Sequence, residues 1–171
     1  MDAPWPDPRF RELTPELLAS ISADEIGNAV LQHVHLLLEM DQDEDAMLLS
    51  LPPGLRAIYA TWAVDAEVNN GGFNQFFYNP HGALAGEALL GYELLGAEDY
   101  AAVMRAAIAT YEVERDQLAP YHEAGTLEAF SESYKHTDLG TVDQRYYALG
   151  DRIYSIWAVA VRDRPELFRS S

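Results

Sequence analysis

Asn69-Asn70-Gly71-Gly72-Phe73-Asn74-Gln75-Phe76-Phe77-Tyr78-Asn79 divides the chain. Before it, Leu55, Ile58, Tyr59, Trp62 and Ala66 recur at helical spacing after Pro52-Pro53-Gly54, which predicts a helix over 54–69. Asn and Gly tolerate the left-handed backbone of a helix end, so Asn69-Asn70-Gly71-Gly72 predicts its stop. Phe73 to Tyr78 predicts a short second helix, and Asn79-Pro80-His81-Gly82 a turn. Gly71 is expected to supply a positive φ and Gly72 a close approach of two helices. Phe73 and Phe77 anchor the corner in the core. The amides of Asn69, Asn70, Gln75 and Asn79 are placed to satisfy orphan backbone groups at the two helix ends. A binding pocket lined by the same amides is the alternative. No nucleophile or base lies beside them in sequence.

Outward from this corner the helical period persists. Thr14-Pro15-Glu16 opens a short helix, with Thr14 as N-cap and Pro15 at the first helical position. Ser22-Ala23-Asp24-Glu25 is a capping-box pattern before Ile26, Val30, Val34, Leu37 and Leu38, a helix that ends near Met40. Further helices are predicted over 83–95 (stopped by Gly96), 97–118, 127–134 and 141–163, the last ended by Pro165. Two-residue alternation is absent. The expected fold is all-α: a compact single-domain bundle of about five main helices plus short ones, without significant sheet. Residues 1–12, with three prolines, form an irregular arm before a single domain over 13–171.

Hydrophobic residues make up 49 % of the 171, enough for a packed core despite the charge. With no cysteine, disulfides, thiolate metal sites and a Cys nucleophile are excluded. The start lacks the features of a signal peptide, and no run is long and apolar enough to span a membrane, so a cytoplasmic protein is expected. Scarce Lys and Arg argue against direct nucleic-acid binding. No phosphate-cradling loop or nucleophile elbow is present, and no cofactor is expected. His33 falls among Val30 and Leu37 and reads as a hydrogen-bonded core histidine. His35 and Glu39 are four apart, a possible two-ligand edge that nothing nearby completes, so no metal site is expected. His81, His122 and His136 read as turn residues.

Charge is segregated. Of the net −17, residues 12–104 hold fifteen carboxylates against Arg56 alone, whereas the last 67 residues hold eleven acids and eight bases. One-signed charge works against a compact state, so the field invites a target. A solvated acidic face kept for solubility is the plainer reading. Arg145, Arg152, Arg162 and Arg164 accompany the final apolar stripe. They read either as partners of the chain's own acids or as part of a dimer seam.

The corner motif, with Leu51-Pro52-Pro53-Gly54-Leu55-Arg56-Ala57-Ile58-Tyr59 before it and the helix pair around 83–111 after it, resembles the DMP-type bacterial DNA-mimic protein family. The resemblance implies an all-α, often dimeric protein of DNA-mimic type. Its acidic surface would occupy the DNA-binding face of a transcriptional regulator or other DNA-binding protein. It implies no enzymatic activity, a basic DNA-binding protein as partner, and a homodimer. One DNA strand presents a phosphate about every 3.4 Å and a helix rises about 1.5 Å per residue, so a matching helix needs a carboxylate every two or three residues. Residues 12–104 offer about one in six, so several segments must converge. The candidates for partner binding are Glu39, Asp41, Asp43, Glu44, Asp45, Asp65, Glu67, Glu87, Glu93, Glu98 and Asp99. The alternatives are an acidic, immunity-type module for a basic partner unrelated to DNA, and an enzyme using the Asn-rich corner as a polar pocket.

Overall fold

The computed structural model describes residues 5–40 and 43–169, without the side chain of Asp45. Its α-helices are α1 (Pro15–Ser20), α2 (Ala23–Leu38), α3 (Glu44–Ser50), α4 (Pro53–Tyr78), α5 (Ala85–Leu95), α6 (Glu98–Ala124), α7 (Leu127–Ser133), α8 (Leu139–Tyr147) and α9 (Arg152–Asp163). Four 3-10 turns join them, at Pro8–Arg11, Pro80–Leu84, Tyr134–His136 and Pro165–Phe168. Among the described residues there is no strand. The all-α expectation holds, with five helices of eleven residues or more: α2, α4, α5, α6 and α9.

Local chemistry sets most of the boundaries. Thr14 Oγ1 accepts from the Leu17 N–H at 3.2 Å, and Asp43 accepts from the Ala46 N–H at 3.0 Å, so both are side-chain N-caps. Ser22 differs from the expected capping box. Its hydroxyl donates to Glu25 Oε2 at 2.9 Å and makes no bond to the helix backbone. The helix expected over 97–118 runs on to Ala124, with Pro120 inside it, and stops only at left-handed Gly125. His122 is therefore helical rather than in a turn. The single helix expected over 141–163 is two, α8 and α9, parted around Gly150 at φ 63°. Within the arm, Phe10 is buried, and the Asp7 N–H donates to Gln32 of α2 at 2.7 Å, so residues 8–11 are an ordered turn on α2.

Helix α4 is the axis of the molecule. It packs against α2, α5, α6, α8 and the Pro165–Phe168 turn, and α9 closes over α2. Ile58, Ala60, Ala63, Val64, Val68, Phe73 and Phe76 of α4 are wholly buried. Each Ile, Val or Phe among them contributes roughly 1.5–3 kcal/mol by leaving water, which is why a 26-residue helix with little one-sided polarity holds the centre. Close approach of α5 depends on Gly91, where an added Cβ would lie 3.1 Å from the Ala57 Cα.

Candidate functional site

The predicted corner exists, but its glycines exchange roles. Helix α4 continues by hydrogen bonding through residue 78, with a kink at Gly71 and Gly72. Gly72 has φ 74° and ψ −178°, a region essentially confined to glycine, whereas Gly71, at φ −154°, needs no special freedom. The reason lies 70 residues away. The Phe73 N–H, freed at the kink, donates to Asp143 Oδ1 of α8 at 2.8 Å. A Cβ on Gly72 would run into that carboxylate. Burial pushes the Asp143 carboxyl above its ordinary range, and the Phe73 N–H offsets this only in part. On the other side of the kink, the Tyr134 hydroxyl donates to Gly71 O at 2.7 Å. Phe73 packs edge-on against Phe76 and Tyr146, and Phe77 stacks on Tyr111 with ring centroids 4.1 Å apart.

The amides serve a carboxylate rather than the helix ends. Glu67 Oε2 accepts from Gln75 Nε2 at 2.7 Å and Asn79 Nδ2 at 2.8 Å, and Oε1 faces His81 Nδ1 at 2.8 Å. Burial pushes the Glu67 carboxyl up. The bonds from Gln75, His81 and Asn79 together outweigh it and hold the group below the ordinary value. Asn69 donates to Asp65 at 3.0 Å, and Asn70 is exposed.

The predicted acidic residues separate into three sets. Asp65 is a core residue, 6 % exposed. It accepts from Tyr146 at 3.0 Å, Tyr154 at 2.8 Å and Asn69, so it is corrected from a partner-facing acid to a buried acceptor joining α4, α8 and α9. Its spacing is the cause: it lies four residues after Thr61 and three before Val68, both wholly buried. Glu67 is the half-buried acceptor just described. A second set meets arginines. Glu93 meets Arg105 at 2.7 Å, Asp99 meets Arg152 at 2.9 Å, and Glu87 lies 3.8 Å from Arg56. Glu98 is exposed beside Asp99 in the first turn of α6. The third set, Glu39, Asp43 and Glu44, is exposed at the passage from α2 to α3. The expectations for Asp41 and for the Asp45 side chain lie outside the described residues.

Arg164 donates to Leu94 O at 2.7 Å and Arg162 to Ile21 O at 3.4 Å, so these arginines meet carbonyls of the same chain. His33 Nδ1 lies 2.8 Å from Phe10 O, as a hydrogen-bonded, part-buried histidine should. His35 sits among the rings of Trp5, Tyr59 and Trp62. Burial pushes its pKa down, against the carboxylates of Glu39 and Glu44. Among the described residues, no group of three or more His, Asp or Glu is placed to hold a metal ion. No helix among them is long and apolar enough to cross a membrane.

A family model described as DMP19-like protein matches residues 49–162. The chain belongs to the DMP19-like family. The DMP19-like segment takes in the kinked α4, the Glu67 cluster, Asp143 and the arginine-paired acids of α5 and α6. Glu39, Asp43 and Glu44 precede it. Comparison with curated proteins and with solved structures gave no match. Sequence reasoning missed Asp143, Tyr134 and His81 as parts of the corner. Only His81 had a local signal, its place two residues after Asn79.

Proposed function

We propose that this chain is a non-enzymatic acidic regulatory protein that occupies the DNA-binding surface of a transcriptional regulator or other DNA-binding protein and keeps DNA off it. Membership of the DMP19-like family carries the reading. The exposed carboxylates of Glu39, Glu44 and Glu98 support it chemically. Carboxylates accept charge-assisted hydrogen bonds from the Arg and Lys that otherwise meet phosphates, and a one-signed field raises the association rate. Self-association belongs to the proposal. Tyr154 and Val159 of α9 are exposed large side chains beside Arg152 and Arg162, and a two-fold pairing would double the acidic array.

The test is competition. Basic DNA-binding proteins captured by the purified chain should be released by duplex DNA, and E39K/E44K should weaken capture while the fold is kept. Complexes that duplex DNA leaves intact would refute mimicry and favour the immunity-type alternative. Sedimentation of the free protein as a monomer would remove the doubling.

A further inference from the structure

Beside the Glu67 cluster the surface forms a concavity of about 310 Å³. Gln75, Tyr78 and Asn79 of the corner form one wall, and Thr126, Leu127 and Phe130 the other. The volume lies at the lower end of small-molecule clefts and is ample for one long side chain. Its chemistry follows from Glu67. An ionised carboxylate only accepts, so the amide nitrogens of Gln75 and Asn79 must point to it. That turns both carbonyl oxygens away from Glu67, Gln75's toward Gly71, and leaves each amide an acceptor beside a second N–H. The ends of α4 at Tyr78 and α6 at Ala124 and the start of α7 at Leu127 abut the concavity, so helix ends of both signs meet there. The Thr126 hydroxyl oxygen accepts from the Ala129 N–H at 3.1 Å, capping α7. The rings of Tyr78 and Phe130, with centroids 4.8 Å apart, give aromatic surface. No Lys, Arg or His is among the lining residues.

We propose that this concavity receives an arginine side chain of the basic partner protein. Planar amide acceptors, aromatic surface and a fixed carboxylate one layer behind suit a guanidinium. It spreads its donors in a plane, stacks on rings and is more weakly hydrated than an ammonium. A lysine would use the charge but not the plane. The occupant is taken from the proposed function, since a partner that reads DNA displays arginines.

The probe is the peptide acetyl-Gly-Arg-Gly-amide, with its lysine and citrulline analogues and free L-arginine alongside. The side-chain amide resonances of Asn70, Gln75 and Asn79 are followed by NMR. Saturable shifts of Gln75 and Asn79 with the arginine peptide are expected, together with weaker binding of the lysine peptide and none of the citrulline peptide. Leu127 is 80 % exposed, so L127K should fold normally. The cation it places at the rim should weaken the arginine peptide by about fivefold. Shifts that never saturate, equal binding of the citrulline peptide, no effect of L127K, or free arginine binding as tightly as the peptide would overturn the proposal. Because the peptide contains no DNA-binding protein, it reads the pocket alone. The DNA-competition experiment reads mimicry alone, so either can fail without the other.

Discussion

Replacing Gly72 by Ala tests the corner at its most constrained point. The backbone there, φ 74° and ψ −178°, costs a residue with a Cβ about 1–3 kcal/mol. The new methyl would also collide with the Asp143 carboxylate. Relief requires that carboxylate to leave the Phe73 N–H, a charge-assisted bond worth about 1.5–3 kcal/mol. The expected loss is therefore about 3–5 kcal/mol, against a total stability of about 5–15 kcal/mol for a domain. For a chain of this length that is a fall in Tm on the order of 10 °C. Urea unfolding followed by circular dichroism measures it, with G71A as the control. At Gly71 φ is −154°, so no left-handed strain arises, but the added Cβ meets the Gln75 side chain and the Tyr134 hydroxyl, whose bonds to Glu67 and Gly71 O must yield, so about 2 kcal/mol is expected. Once D143A has removed the carboxylate, G72A should cost only its backbone strain, and the two losses should not add. Equal losses in G72A and G71A, or strict additivity of G72A with D143A, would show that the kink is not held in this way.

Three further outcomes follow from the buried and half-buried polar groups. D65A leaves the Tyr146 and Tyr154 hydroxyls and the Asn69 amide without their acceptor; a loss of about 3 kcal/mol in urea unfolding is expected, and less than 1 kcal/mol would contradict a structural role. Glu67 is held below its ordinary 4.5, so in acid the folded chain binds fewer protons than the unfolded one. That stability is present above about pH 4.5 and lost as pH falls through the lowered value, and E67Q should flatten this part of the curve. His33, His35 and His122 are pushed below 6.5, by burial first; for His33 the Phe10 and Arg11 carbonyls partly oppose it. Stability should hold above about pH 6.5 and decline as pH falls below it, before most carboxylates titrate. H35F should reduce the decline, and an unchanged slope would refute the contribution of that ring.

Much of the fold was legible because helical spacing survives into the core. Ile58 and Tyr59, like Tyr100, Val103, Met104 and Ala107, are buried as their periodicity predicts. The same rule, applied to charged positions, already placed Asp65 with Thr61 and Val68. Its misplacement came from counting carboxylates without asking which face each occupied. The break between α8 and α9 had Gly150 as its only mark, and an apolar stripe on both sides hid it. The identity of the strained glycine was not legible at all. Gly71 and Gly72 are equivalent locally, and the carboxylate that decides between them enters from α8. The pocket beside the corner likewise needs Thr126 to Phe130, which only the turn at Gly125 brings into place.

The three-dimensional charge is weaker than the linear charge, and that bears on how a decoy could compete with DNA. Folding buries Asp65 and most of Glu67 and brings Arg105 and Arg152, from the mixed C-terminal part, onto Glu93 and Asp99. Of the acids predicted to bind a partner, Glu39, Asp43 and Glu44 stay exposed at the α2–α3 passage, and Glu98 at the start of α6. These are few and separated charges beside the unbroken run of phosphates on a duplex. DNA carries a charge about every 1.7 Å and holds condensed counterions whose release makes its complexes steeply salt-dependent. A protein surface of lower density has no such atmosphere. If the chain is a decoy, its complex should lose affinity less steeply with salt than the same partner loses on DNA. Raising salt from about 0.05 to 0.2 M, a range in which DNA complexes lose 10³–10⁵ in affinity, should then shift the partner from duplex to this protein. Fluorescence anisotropy of labelled duplex, titrated with the chain at several salt concentrations, reads that balance. A partner that moves back to DNA as salt rises would mean that the carboxylates do not stand in for phosphates.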